Sequence, residues 1–176
     1  AVGSRPALPA AFDLGSKRII TSTQALEIED IPSTLLIVGG GYIGMELGTV
    51  YASLGSRVAL VEAMGSILMG CDPDLARPVL RYAQKHYESV RLDTRVVKMA
   101  SSGKQIKVIL ENGGQKTEDL YDKVQVSIGR SPNSVDLGLK NTKVQLDEKG
   151  FIKVNQQQQT ADASIYAIGD IVGGAL

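Results

Sequence analysis

Gly39-Gly40-Gly41-Tyr42-Ile43-Gly44 sets three glycines in the spacing Gly-x-Gly-x-x-Gly, and an acid, Glu62, follows them downstream. Residues of these types at this spacing can hold a pyrophosphate. The first glycine permits a tight turn, the second lets the backbone approach phosphate with no Cβ in the way, and the third lets the following helix pack close to the preceding strand. The start of that helix, at Tyr42 and Ile43, offers unpaired N–H groups and the positive end of its dipole. Glu62, at the end of the next strand, is placed to accept hydrogen bonds from ribose hydroxyls. A 2′-phosphate would set negative charge against it, and the next residues, Ala63-Met64-Gly65-Ser66, bring no cation. The predicted ligand is therefore a dinucleotide, NAD rather than NADP. Glu46 is expected in the first helical turn. It reads either as part of the site or as an acid that simply favours a helix start.

This chemistry needs a strand, a helix and a second strand in about thirty residues. The apolar run from Ser33 to Val38 reads as a buried strand. Ile43, Leu47, Val50, Tyr51 and Leu54 recur at helical spacing, and Gly55 sits where the helix should end. Arg57 to Glu62 is the second strand. Leu75, Val79, Tyr82, Ala83 and His86 predict a further helix from Asp72-Pro73, with Pro78 forcing a kink or a start near Asp74. Val90-Arg91-Leu92 reads as a third parallel strand. Ile106 to Leu110 followed by Asn112-Gly113-Gly114 reads as a strand and hairpin turn. Lys123–Ile128, Phe151–Val154 and Ser164–Ile168 read as further strands, and residues 1–33 as loop with short extended pieces. The predicted fold is α/β: a Rossmann-like domain with a central parallel sheet, helices and a small antiparallel β-meander.

The chain of 176 residues carries 19 basic and 19 acidic side chains, and is 43% hydrophobic. This balance, with no Lys/Arg run, argues against nucleic acid or an anionic membrane as partner. No run approaches the roughly 18 apolar residues of a membrane span. The single cysteine, Cys71, cannot form an internal disulfide, which favours a reducing, cytoplasmic compartment. No catalytic residue is expected in the chain. A start without Met, inside Gly3-Ser4-Arg5-Pro6, reads as a piece of a longer protein.

The wording Leu36-Ile37-Val38-Gly39-Gly40-Gly41-Tyr42-Ile43-Gly44-Met45-Glu46-Leu47-Gly48 resembles the pyridine-nucleotide domain of the flavoprotein disulfide reductases. Three more stretches agree in order. Ala1 to Pro6 resembles the crossing from the FAD domain, although Val2 stands where the family has Thr or a small residue. Ser127-Ile128-Gly129-Arg130-Ser131-Pro132-Asn133 resembles the Gly-Arg-x-Pro-Asn turn. Thr160 to Asp170 resembles the second FAD motif. The resemblance implies that Glu46 lies near nicotinamide and flavin, Val96 by the adenine, and Ile128, Gly129 and Arg130 along the NAD channel. Gly3 and Asp170 would contact FAD in the parent protein.

The same resemblance implies domains: 1–30 as the end of an FAD segment and crossover, 31–150 as the NAD domain, and 151–176 as the return to the FAD domain. Gly48 to Gly55 and Tyr166 to Gly173 resemble most closely the branch that oxidises dihydrolipoamide. That branch implies lipoyl domains of 2-oxo acid dehydrogenase complexes as partners, a homodimer, and a cytoplasmic or mitochondrial-matrix location. Other branches, of the mercuric reductase or soluble transhydrogenase type, and a stand-alone nucleotide-binding module remain alternatives. The family's first FAD glycine motif, its redox cysteine pair and its C-terminal His-Glu pair are not among these residues. His86 is read as structural, and the 176 residues alone are expected not to oxidise a dithiol.

Overall fold

The structure is a computed structural model that describes residues 1–174. Its elements run β1 (Ser4–Pro6), β2 (Ile19–Ile20), α1 (Ser22–Glu27), β3 (Thr34–Val38), α2 (Tyr42–Ser53), β4 (Arg57–Val61), α3 (Pro73–His86), β5 (Ser89–Arg91), β6 (Thr94–Ser102), β7 (Gln105–Asn112), β8 (Gln115–Tyr121), β9 (Lys123–Val126) and β10 (Arg130–Pro132). They divide into two compact units, one spanning residues 8–128 and the other residues 1–7 with 129 onward. No helix among the described residues is long and apolar enough to cross a membrane.

The larger unit is a Rossmann-like three-layer α/β fold. Its central sheet has the order β2-β9-β3-β4-β5 with every pair parallel. All five residues of β3 are buried, as a strand covered on both faces must be. Alternation then sorts the side chains. Leu36, Val38, Ala59, Val61, Val124 and Val126 face one layer, formed by the antiparallel meander β6-β7-β8 through Met99, Ile106, Val108, Leu110 and Tyr121. Leu35, Ile37, Val58 and Leu60 face the helices, meeting Ala25 of α1, Met45, Leu47 and Tyr51 of α2, and Ala83 of α3.

Most of the expected elements of this unit are present, with corrections. α3 begins at Pro73, the first helical position, and runs unbroken through Pro78 to His86. Its buried face is Ala76 and Ala83 with Val79 and Leu80 beside them, while Leu75 is 69% exposed. His86 is exposed and stacks on Tyr82 at 4.2 Å between ring centroids. The third strand ends at Arg91, one residue before Leu92. Helix α1 falls in residues read as loop, and its start carries a Thr21–Gln24 capping pair in which the Thr21 N–H donates to Gln24 Oε1 at 2.9 Å.

Phe151–Val154 and Ser164–Ile168, expected as strands, form only isolated bridges, Leu146 with Ile152 and Gln159 with Tyr166. Side-chain acceptors take the first amide of each segment and several amides just outside them. Asp147 Oδ1 accepts from Lys149 and Phe151, Asn155 Oδ1 from Gln157 and Gln159, and Asp162 Oδ1 from Ser164. Such local bonds compete directly with strand pairing.

One carboxylate ties the layers of the larger unit together. Asp122, between β8 and β9, accepts the Thr34 N–H at 3.0 Å through Oδ2 and Gln105 Nε2 at 3.1 Å through Oδ1, and its own N–H donates to Thr34 Oγ1 at 2.9 Å. Burial works to raise its pKa. The bonds from Gln105 and Thr34, with Arg18 nearby, outweigh that and lower it below 3.8. A depressed folded pKa gives stability that is full above the unfolded pKa and is lost as pH falls through the folded one. Asp122→Asn is therefore expected to destabilise the fold by about 1–3 kcal/mol near neutrality. The gap from the unsubstituted protein should narrow in denaturant melts below about pH 4. A gap that stays constant from pH 7 to pH 3 would remove this role.

Candidate functional site at the carboxyl end of the parallel sheet

Strand β3 leads to β4 on one side through α2, whereas its other neighbour, β9, arrives from the far end of the unit. The chain order thus reverses between β3 and β9, which is where an open parallel sheet leaves a crevice at the carboxyl ends of its strands. Gly39 to Gly44 lie at that point.

The glycines divide by what surrounds them. Gly39 takes φ +104°, and a Cβ there would stand 2.5 Å from the Ser127 carbonyl oxygen at the end of β9. A Cβ on Gly44 would fall far inside contact with the Gly39 carbonyl oxygen, and 3.1 Å from Ile37 Cγ2. This is the close approach of helix to strand. Gly41, the N-cap of α2, has nothing within 4 Å of its missing Cβ. The space above the turn is open there, and no side chain caps the helix. Ser127 Oγ donates to the carbonyls of Val38 and Gly39 at 3.1 and 3.3 Å, and so locks the crossing point.

Helix α2 is held at both ends of its buried stretch. Behind it, Leu54 caps the helix, Gly55 takes φ +102°, and the N–H groups of Gly55 and Ser56 donate to Ala52 and Tyr51. This double bond at a glycine is the common way to close a helix. In front, the Tyr87 hydroxyl donates to the Met45 carbonyl at 3.0 Å and touches Thr49 Oγ1 at 3.2 Å. Burial raises the pKa of this phenol, partly offset by the bond to Thr49.

Glu62 follows β4 directly. Its carboxylate accepts the Gly40 N–H at 2.7 Å through Oε2 and the Met64 N–H at 2.8 Å through Oε1. Its backbone is equally fixed, with its N–H on the Arg91 carbonyl and its carbonyl taking the Thr94 N–H, each at 2.9 Å. A carboxylate oxygen has two lone pairs, so each can accept one more hydrogen bond.

The other anticipated residues fall in several places. Tyr42 is 44% exposed at the start of α2, and Ile128 is 46% exposed just past β9. Ile43 is half-buried against the helix-side core. Glu46 is exposed and is the fifth residue of α2, so it lies in the second turn rather than the first. Val96 sits in β6 beside a bulge at Val96/Lys98 and packs on the meander-side core. Among the described residues no group of three or more His, Cys, Asp and Glu could hold a metal. Cys71 is exposed and free.

Gly129, Arg130, Gly3 and Asp170 belong to the smaller unit. There β1 pairs antiparallel with β10, setting Ser4 opposite Pro132. Ser4 Oγ donates to Asp170 Oδ2 at 2.7 Å. Arg130 donates to Ser4 Oγ through Nε at 2.6 Å and to the Ser4 carbonyl through Nη2 at 2.9 Å. Gly3 has φ +69° and accepts the Asn133 N–H at 3.0 Å, while Gly129 has φ +145°. The Ser4–Arg130–Asp170 cluster was not expected from the sequence, because its three members lie as far as 166 residues apart.

The parallel sheet, the meander and the glycine turn at its switch point define a Rossmann-like class of fold. Residues 1–175 match the family described as pyridine nucleotide-disulphide oxidoreductase, and the chain belongs to that family. A dihydrolipoyl dehydrogenase from Staphylococcus aureus is 37% identical over 174 residues, covering 99% of this chain and 37% of that protein. One from Thermus scotoductus is 39% identical, covering 97% and 38%. Among solved structures, the HOCl-induced flavoprotein disulfide reductase RclA from Escherichia coli superposes with a TM-score of 0.86 at 26% identity, covering 99% of this chain and 40% of that one. LpdA from Mycobacterium tuberculosis gives 0.84 at 28%, covering 98% and 37%. The chain thus spans somewhat more than a third of the length of the curated relatives it matches.

Proposed function

We propose that the larger unit binds NAD, and that the chain is the pyridine-nucleotide part of a flavin-dependent enzyme of the dihydrolipoamide dehydrogenase type. The observation that carries the NAD reading is the Glu62 carboxylate, oriented by two backbone N–H groups beside a glycine turn whose outer face is open. It suits a ribose with free hydroxyls and opposes a 2′-phosphate. Gly41 and the first turn of α2 would hold the pyrophosphate. Tyr42, Ile43, Glu46, Val96, Ile128, Gly129 and Arg130 are the further proposed contacts. The domain limits read from the sequence, 31–150, and the compact unit 8–128 share the turn, Glu62, Val96 and Ile128, and differ on Gly129 and Arg130.

The relatives' name, dihydrolipoyl dehydrogenase, supports a whole enzyme that oxidises dihydrolipoamide. That the substrate is carried on lipoyl domains and that the enzyme works as a homodimer are further parts of the proposal, taken from the resemblance read in the sequence. When bound, FAD supplies the electron relay between a dithiol and nicotinamide. Asp170, held through Oδ2 by Ser4, fits a contact to a polar flavin chain, and Gly3, which precedes Ser4 in the chain, is the other proposed FAD contact. The chain's own part in turnover is to bind and orient the nicotinamide nucleotide. Calorimetric titration with NADH and NADPH is the test. NADH is expected to bind more tightly, and equal affinities or a preference for NADPH would end the reading.

A further inference from the structure

We infer that Ile67 is a positioning residue for nucleotide choice, acting on Glu62 through Gly40. The inference rests on the NAD reading above. After Glu62 the chain folds back beneath the glycine turn. The Leu68 N–H donates to the Gly40 carbonyl at 2.8 Å, while the Gly40 N–H donates to Glu62 Oε2 at 2.7 Å. Both peptide groups that flank Gly40 are therefore fixed, one by the returning loop and one by the carboxylate itself.

Ile67 supplies the floor. It is 2% exposed and belongs to the helix-side core with Leu35, Ile37 and Met45. Its Cγ2 lies 2.9 Å from where a Cβ on Gly40 would stand, and Glu62 Oε2 lies 3.3 Å from the same point. Gly40 is thus wedged between a core side chain and the carboxylate it orients. Leu68 takes φ +52°, a left-handed conformation that costs a leucine energy. That cost is retained where it aims the Leu68 N–H at Gly40. The loop is tied a second time through Met64, whose N–H bonds Glu62 Oε1 and whose carbonyl accepts the Asp93 N–H at 3.1 Å.

Shortening Ile67 takes away the floor under Gly40 and widens the range of the Glu62 carboxylate. Recognition of ribose hydroxyls needs a directed acceptor, so NADH should suffer. The pyrophosphate contacts are common to NADH and NADPH, so their contribution cancels in the ratio of the two affinities. That ratio is the readout, and a purely structural role would not move it.

The test titrates the protein and its Ile67→Ala, Gly40→Ala and doubly substituted variants with NADH and with NADPH, with a thermal melt of each. Ile67→Ala is expected to reduce the NADH preference on the order of tenfold. Gly40→Ala should reduce it too, because the new methyl meets Ile67 and crowds Glu62. The double variant should regain part of what Gly40→Ala loses, since removing Cγ2 of Ile67 makes room for that methyl. If Ile67→Ala does not fold, Ile67→Leu, which removes Cγ2 while keeping the side-chain volume, takes its place in the same titrations, alone and with Gly40→Ala. Gly40→Ala takes nothing from the core, and Gly40 has no positive φ. An unchanged ratio in the folded variants, or strictly additive losses, overturns the role of Ile67. A parent protein without NADH preference overturns the NAD reading itself.

Discussion

Gly44→Ala is expected to destabilise the protein by about 1–3 kcal/mol or more, and to abolish dinucleotide binding with it. Gly41→Ala is expected to leave the melting temperature close to that of the parent and to abolish binding all the same. The two substitutions add the same methyl three residues apart, and the structure separates their effects. At Gly44 the methyl drives into the Gly39 carbonyl and meets Ser127 Oγ at 3.0 Å. Backbone cannot yield there without moving α2 off β3. At Gly41 the methyl meets no protein atom within 4 Å and points into the space proposed for the pyrophosphate. Thermal melts read the first difference and titration with NADH the second. A Gly41→Ala variant of native affinity would place the phosphates elsewhere, and a Gly44→Ala variant of native stability would deny the close approach.

Glu62→Ala is expected to cost NADH about 1–3 kcal/mol of binding, the usual scale for hydrogen bonds to a charged group, and to cost NADPH little. The NADH preference should then fall by a factor on the order of 10–100. The alanine also releases two donors, the N–H groups of Gly40 and Met64. Glu62→Gln removes the repulsion of a 2′-phosphate and keeps one acceptor oxygen, while its NH2 faces one of the two backbone N–H groups that the carboxylate accepts, so the charge and half of the anchoring go together. Its preference is expected to lie between those of the parent and Glu62→Ala. If both variants discriminate as the parent does, the selectivity comes from another residue.

The strand-helix-strand around the glycine turn was legible because its signals are local. A fully apolar run marks β3, helical spacing marks α2, and Gly55 marks its end. What escaped the sequence reading has physical causes. β6 bulges at Val96/Lys98, and a bulge reverses which side chains face inward, so no alternation runs through Thr94 to Ser102. β2 has two residues and β10 three, too few to show a period. The late segments from Phe151 to Ile168 have strand composition, yet Asp147 and Asp162 capture the first amide of each and Asn155 that of Gln159 between them, so pairing shrinks to single bridges. At the site, the glycines and Glu62 could be named from spacing alone. The grip of Ile67 and Leu68 on Gly40 could not, because it depends on a loop that doubles back rather than on any periodic pattern.

In the chain order the larger unit is one unbroken stretch that falls between the two portions of the smaller one, and those portions register Ser4 with Pro132 and join the Ala7 N–H to the Gly129 carbonyl at 3.0 Å. This nesting has a consequence for biosynthesis. A ribosome delivers the whole of residues 8–128 before the second strand of the β1–β10 ribbon exists, so the first strand emerges with no mate. Left to a random coil, the ribbon must close a loop of more than a hundred residues, and the entropy of that closure delays pairing. A prior collapse of the intervening stretch replaces the long floppy tether with a compact one. The order of assembly is thereby written into the connectivity: the continuous stretch first, the ribbon of its two flanks afterwards.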